Sequence, residues 1–112
     1  MNDKNAQHVR VEKISRPGQW LRVYLLYRAA FPRSERKPFG MILKMYKKGK
    51  TDVWCARDDH GFAGFAATIN DEALILLDYL AVCRKKPGRG IGAAMLHALK
   101  DGYPGRGLFV EI

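Results

Sequence analysis

The stretch from Leu77 to Leu96 restricts the fold more than any other part of this chain. It begins as an apolar run, Leu-Asp-Tyr-Leu-Ala-Val-Cys. It then becomes basic and glycine-rich, Arg-Lys-Lys-Pro-Gly-Arg-Gly-Ile-Gly, and ends in the small and apolar residues Ala-Ala-Met-Leu. An apolar run from Ala73 to Val82 that shows no alternation of polar positions predicts a strand covered on both faces. Ile91, Ala94, Met95, Ala98 and Leu99 recur at helical spacing after the glycines. A strand that feeds a glycine loop opening a helix is a local design for holding an anion. Glycines let backbone N–H groups come close, and the helix N-terminus adds about half a positive charge. Arg84, Lys85, Lys86 and Arg89 surround the loop with cations and no acid intervenes, so the segment reads as a diphosphate site. The plain alternative is a helix start behind a solvated loop.

The rest of the chain alternates between the two periodicities. Residues 8–14 alternate as a half-buried strand, with Val9 and Val11 on one side, and Pro17-Gly18 is read as a break. Trp20, Val23, Tyr24, Tyr27, Ala30 and Phe31 then form one helical face that Pro32 closes. A basic loop, Arg33 to Lys37, leads to a second helix with Phe39, Ile42, Leu43 and Tyr46 on its apolar face. Lys44, Lys47, Lys48 and Lys50 sit on its other face and at its end, where cations suit the helix dipole. Two more strands, Thr51 to Arg57 and Phe62 to Ile69, precede the run from Ala73. They are separated by the turns Asp58-Asp59-His60-Gly61 and Asn70-Asp71-Glu72. A last strand spans Gly107 to Ile112.

With 112 residues there is room for one domain, residues 1–112. No apolar run approaches the roughly 20 residues that a membrane helix needs. The polar N-terminus does not read as an export signal, so a cytoplasmic address is expected. Cys55 and Cys83 are expected to be reduced thiols, and no His or Cys spacing suggests a metal site. Four cations follow Cys83 closely and could lower its pKa, but it is read as a packing residue. The net charge of +9 asks for an anionic partner.

Two readings of the glycine segment compete. Gly88-Arg89-Gly90-Ile91-Gly92-Ala93 satisfies the dinucleotide fingerprint, and Glu111 lies where a ribose-binding acid belongs. Against a dinucleotide-binding βαβ unit, five residues (Cys83 to Pro87) separate the strand from the first glycine. The preceding strands are also joined by turns too tight for parallel crossovers. A basic nucleic-acid-binding module without catalysis is the other alternative, based on the lysines from 44 to 50. Only Tyr46 interleaves them and no stacking motif accompanies them.

The run Leu80-Ala81-Val82, the basic spacer, Gly88-Arg89-Gly90-Ile91-Gly92 and the small-residue helix resemble the acyl-CoA-binding motif of the GNAT superfamily of N-acetyltransferases. The position that usually carries Arg or Gln in that motif is Pro87 here. The resemblance implies an α+β fold, a mixed and mainly antiparallel sheet with flanking helices, here truncated after the fifth strand. It implies acetyl-CoA as co-substrate and a primary amine as acceptor. Backbone groups of Leu80 and Val82 would bind the pantetheine and acetyl carbonyl, and the amides of Gly88, Arg89, Gly90, Ile91, Gly92 and Ala93 would hold the pyrophosphate. The connection from Phe31 to Phe39 resembles a helix-to-helix segment on the acceptor side of the cleft.

The family's glutamate base would fall at Leu76. Asp78, two residues on, is expected on the same face as Leu76, Leu80 and Val82, and it is the only charge in the strand. It is the candidate general base, and a structural aspartate held by hydrogen bonds is the alternative. Glu35, Glu72 and Glu111 are weaker candidates. The general acid is unassigned. The exposed last strand is expected to pair with a second copy, giving a homo-oligomer.

Overall fold

A computed structural model describes residues 9–83 and 90–110. Five strands form one sheet in the order β1 (Arg10–Lys13), β2 (Thr51–Asp58), β3 (Gly61–Asn70), β4 (Leu74–Val82) and β5 (Gly107–Val110). The first four are antiparallel and β5 runs parallel to β4. Helices α1 (Pro17–Ala30) and α2 (Phe39–Lys47) lie between β1 and β2 in the chain, and α3 (Ile91–Gly102) connects β4 to β5. The fold is therefore mixed α+β around a mostly antiparallel sheet with flanking helices, as the resemblance implies. The single parallel pair carries the one helical crossover, and no second parallel strand joins it among the described residues. That arrangement does not extend the dinucleotide-type unit into a parallel sheet.

Each face of the sheet carries its own core. On one face Val23 and Tyr27 of α1 and Ile42 of α2 pack over Val53, Phe65, Tyr79 and Ala81. On the other, Ile91, Met95 and Leu99 of α3 pack over Trp54, Ala66, Ile75 and Leu77. β3 supplies Ala63, Gly64 and Ala66 toward α3, and these small residues let that helix sit close. At Gly64 the approach excludes any side chain. A Cβ there would stand 2.5 Å from the Ala81 carbonyl oxygen and 3.4 Å from Met95 Sδ.

Two local expectations change. Pro17-Gly18 starts α1 instead of breaking the chain, because proline at the first helical position gives up an N–H that has no partner there anyway. Gln19 Oε1 accepts bonds from the Ser15 and Arg16 backbone N–H groups and closes that end. Ala30 is exposed at the last turn of α1, and Leu26 takes a place against the core instead. No helix among the described residues is long and apolar enough to cross a membrane.

Candidate functional site

β4 and β5 pair only from Leu74↔Gly107 to Leu77↔Val110. β4 then continues through Val82, paired on its other side with β3 as far as Gly64↔Val82. From Asp78 to Val82 no described strand pairs with the β5-facing edge of β4. A β-bulge lies at the point where this open stretch begins. Ala67 pairs with Tyr79 and Thr68 with Leu77, which leaves Asp78 as the extra residue.

The bulge corrects the expected placement of Asp78. Ile75 and Leu77 belong to the α3-side core, yet Tyr79 and Ala81 belong to the α1–α2 side, while Leu80 and Val82 pack on the α3 side. The extra residue shifts the alternation by one. Asp78 therefore does not share a face with Leu80 and Val82. Its carboxylate Oδ2 accepts a bond from Lys37 Nζ at 2.7 Å, on the side where α1 connects to α2. A strict alternation of period two cannot foresee such a shift.

Tyr79 closes the same corner. Its hydroxyl accepts from the Lys37 backbone N–H at 3.1 Å and donates to the Glu35 carbonyl at 3.0 Å. The Tyr27 hydroxyl lies 3.2 Å from it and 2.7 Å from the Lys37 carbonyl oxygen. Burial, reinforced by the Tyr79 hydroxyl, raises the Tyr27 pKa well above the ordinary phenol value. Two phenol hydroxyls, one from α1 and one from β4, thus hold residues 35–37 in place. Sequence reading placed Tyr27 in a helix face and Tyr79 in a buried strand without connecting them. A tyrosine inside an apolar strand is the signal that was there, since a buried hydroxyl needs a partner.

At the far end of β4, α3 begins beside Val82. Gly90 is left-handed, with φ 73°, and its carbonyl accepts the Ala94 N–H at 3.0 Å, so the first turn is closed behind it. No acid occupies that turn. A Cβ on Gly92 would lie 4.0 Å from Val82 Cγ2, which fixes the helix start next to the open end of the strand. The N–H groups of Ile91, Gly92 and Ala93 belong to the turn that lacks intrahelical acceptors. Of the residues expected to bind the cofactor, Leu80, Val82, Gly90, Ile91, Gly92 and Ala93 are gathered at this end. Gly88 and Arg89, with Arg84, Lys85, Lys86 and Pro87, lie outside the described residues, as does Glu111.

Among the other candidates, Glu35 and Glu72 are exposed and neither lies on the open edge of β4. Cys55 is a buried free thiol whose pKa burial pushes up to about 11, with Glu12 adding to the shift. Cys83 is half-buried and its Sγ stands 3.7 Å from the Phe62 carbonyl oxygen. Beside the Lys37–Asp78 corner opens a cavity of about 640 Å³, walled by Tyr24, Tyr27, Arg28, Arg33, Arg36 and Lys37 together with Pro38 and Phe39.

No family model matches the chain, and no curated protein matches it in sequence. Solved structures do match in fold. An aminoglycoside acetyltransferase from an uncultured soil metagenomic sample, in complex with sisomicin, superposes with a TM-score of 0.75 at 17% identity. The match covers 95% of this chain and 78% of that one. A Bacteroides thetaiotaomicron protein described as a GNAT-family acetyltransferase gives 0.77 at 19% identity, over 92% of this chain and 60% of the other. An aminoglycoside 6'-N-acetyltransferase complexed with coenzyme A gives 0.74 at 17%, over 90% and 60%. The fold is that of these acetyltransferases.

Proposed function

We propose that this chain, built on the fold of the GNAT acetyltransferases, transfers an acetyl group from acetyl-CoA to a primary amine. The observation that carries this reading is the open edge of β4 from Asp78 to Val82 with an acid-free helix start beside its end. Free backbone groups along such an edge suit the amide groups of a pantetheine arm, which can pair with them as a strand would. The amides of Ile91, Gly92 and Ala93 suit the pyrophosphate.

Acetyl transfer requires a neutral amine, a stabilised oxyanion and a proton for the departing thiolate. Asp78 stands at the bulge where the edge opens, and it is the candidate to accept the amine's proton. Its pairing with Lys37 means that the lysine must yield or share the carboxylate as the amine arrives. The free N–H groups of β4 beyond the bulge are the candidate donors to the thioester oxygen. This reading places the reaction in the cytoplasm.

Gly90→Asp tests the cofactor site. Aspartate tolerates left-handed φ better than most residues, so the helix start is kept while a negative charge enters the phosphate path. Gly90→Asn supplies the same shape without the charge. Calorimetric titration with acetyl-CoA is expected to show at least about tenfold weaker binding for Asp than for Asn. Equal affinities in two folded variants would refute the site. NAD and a short oligonucleotide, titrated in parallel, test the dinucleotide and nucleic-acid alternatives.

A further inference from the structure

The cavity beside the Lys37–Asp78 corner carries a charge pattern that identifies its occupant. Four of its walls are cations, Arg28, Arg33, Arg36 and Lys37, and no described carboxylate lines it. Only Lys37 is paired with an acid, Asp78 at 2.7 Å. Arg28 donates to the Tyr24 hydroxyl at 3.3 Å and lies over that ring, which leaves its charge uncompensated. Arg33 and Arg36 form no ion pair among the described residues. Arg36 Nε is buried and has no hydrogen-bond partner, so no described carboxylate compensates that guanidinium there. Three unpaired guanidinium groups around one cavity, in a chain of net charge +9, attract anions and repel polycations.

Position ties the cavity to the chemistry. Lys37 is one of its walls and also touches Asp78 at the start of the open β4 edge. The helix start assigned to the pyrophosphate lies on the opposite face of the sheet, with Ile91 in the α3-side core. A molecule in the cavity therefore approaches Asp78 from the side that acetyl-CoA leaves free.

Resting on the acetyltransferase reading, we infer that the acceptor is a small amine bearing its own anionic group, a carboxylate or a phosphate, that the Arg28–Arg33–Arg36 cluster grips while the amine reaches Asp78. Guanidinium forks bind both anions in bidentate geometry. A polyamine acceptor would bring like charge into this cavity. This separates the chain from the fold neighbour that binds sisomicin, an aminoglycoside.

The test uses matched amines with acetyl-CoA and follows release of the free thiol. β-Alanine is compared with β-alaninamide, phosphoethanolamine with ethanolamine, and spermidine serves as the polycation. The expected kcat/KM is at least about tenfold higher for each anionic amine than for its neutral partner, the worth of one charge-assisted hydrogen bond. The larger of the two ratios tells carboxylate from phosphate. Arg28→Gln and Arg33→Gln alter exposed side chains, so folding is kept, and together they should shrink the ratio to about threefold or less without changing acetyl-CoA affinity. Calorimetry of the same amines against the coenzyme A-saturated protein gives a readout that needs no turnover. Equal use and equal binding of anionic and neutral amines, or preference for spermidine, overturns the inference. Failure to bind acetyl-CoA while β-alanine or phosphoethanolamine still binds selectively would refute acetyl transfer and keep the anion selectivity.

Discussion

Lys37 Nζ and Asp78 Oδ2 are 2.7 Å apart, joining the segment between α1 and α2 to the one bulged residue of β4. Both side chains keep contact with water, at 41% and 20% exposure, so the pair adds under about 1 kcal/mol to stability. That small value makes the pair useful for separating chemistry from folding.

If Asp78 accepts the amine proton, Asp78→Asn is expected to lower kcat about a hundredfold or more while acetyl-CoA affinity stays within about twofold. Thermal unfolding should move little. An unchanged rate, measured with β-alanine or any amine the chain accepts, would return Asp78 to holding Lys37 in place.

How far the sequence reaches is visible at this corner. The order of elements and both faces of the core follow from periodicity, because Val23, Ile42, Met95 and Leu99 fall on the apolar faces of their helices and β4 is apolar apart from Asp78. The helix start at Gly90 follows from glycine chemistry. The bulge does not, since nothing local marks Asp78 as an extra residue and the shift comes from pairing with β3. The arginine cavity also escapes, because Arg33 and Arg36 read only as members of a basic loop and nothing in the sequence singles out Arg28 until the fold brings them round one space. Tyr103 follows the end of α3 beside Pro104 and Gly105, yet it is buried.

Tyr103 is the centre of a polar cluster inside the α3-side core. Its hydroxyl donates to Asp52 Oδ2, accepts from Trp54 Nε1 at 3.0 Å and lies 2.8 Å from Thr68 Oγ1. Tyr103→Phe leaves all three short of a partner and is expected to cost about 1–3 kcal/mol in urea unfolding. Burial, then the bond to Asp52, pushes the phenol up to about 12 from its ordinary 10. The folded state thus holds the proton more tightly than the unfolded state. The corresponding stability is fully present below pH 10 and is lost as pH rises from 10 to 12. The fall over that window should be shallower in the Phe variant. Tyr27 shifts in the same direction, so part of the slope is expected to remain. Parallel curves for the two proteins would contradict this assignment.

Gly64 is set by space, since a methyl there meets the Ala81 carbonyl oxygen at 2.5 Å and no flexible side chain can yield. Gly64→Ala is expected to cost about 1–3 kcal/mol. Because the displaced atoms belong to the open stretch of β4, acetyl-CoA affinity should fall together with stability. A variant of native stability and native affinity would mean that β3 and β4 separate there more freely than their register implies.

The outer strand leads to the last expectation. β5 is the last strand of the sheet and pairs only with β4 among the described residues. Phe109 and Val110 are 56% and 51% exposed on it. Adjacent apolar side chains on an edge strand favour pairing with another chain. A second copy of this protein is the partner always present at matching concentration. Self-association at micromolar concentration is therefore expected in light scattering. Val110→Lys places a cation on the edge, the device by which natural edge strands resist pairing, and should weaken association at least about tenfold. Lys48→Glu, on the exposed end of α2, should leave it unchanged. A monomer whose β5 amides nevertheless resist hydrogen exchange would overturn the expectation, because protection would then arise within a single chain.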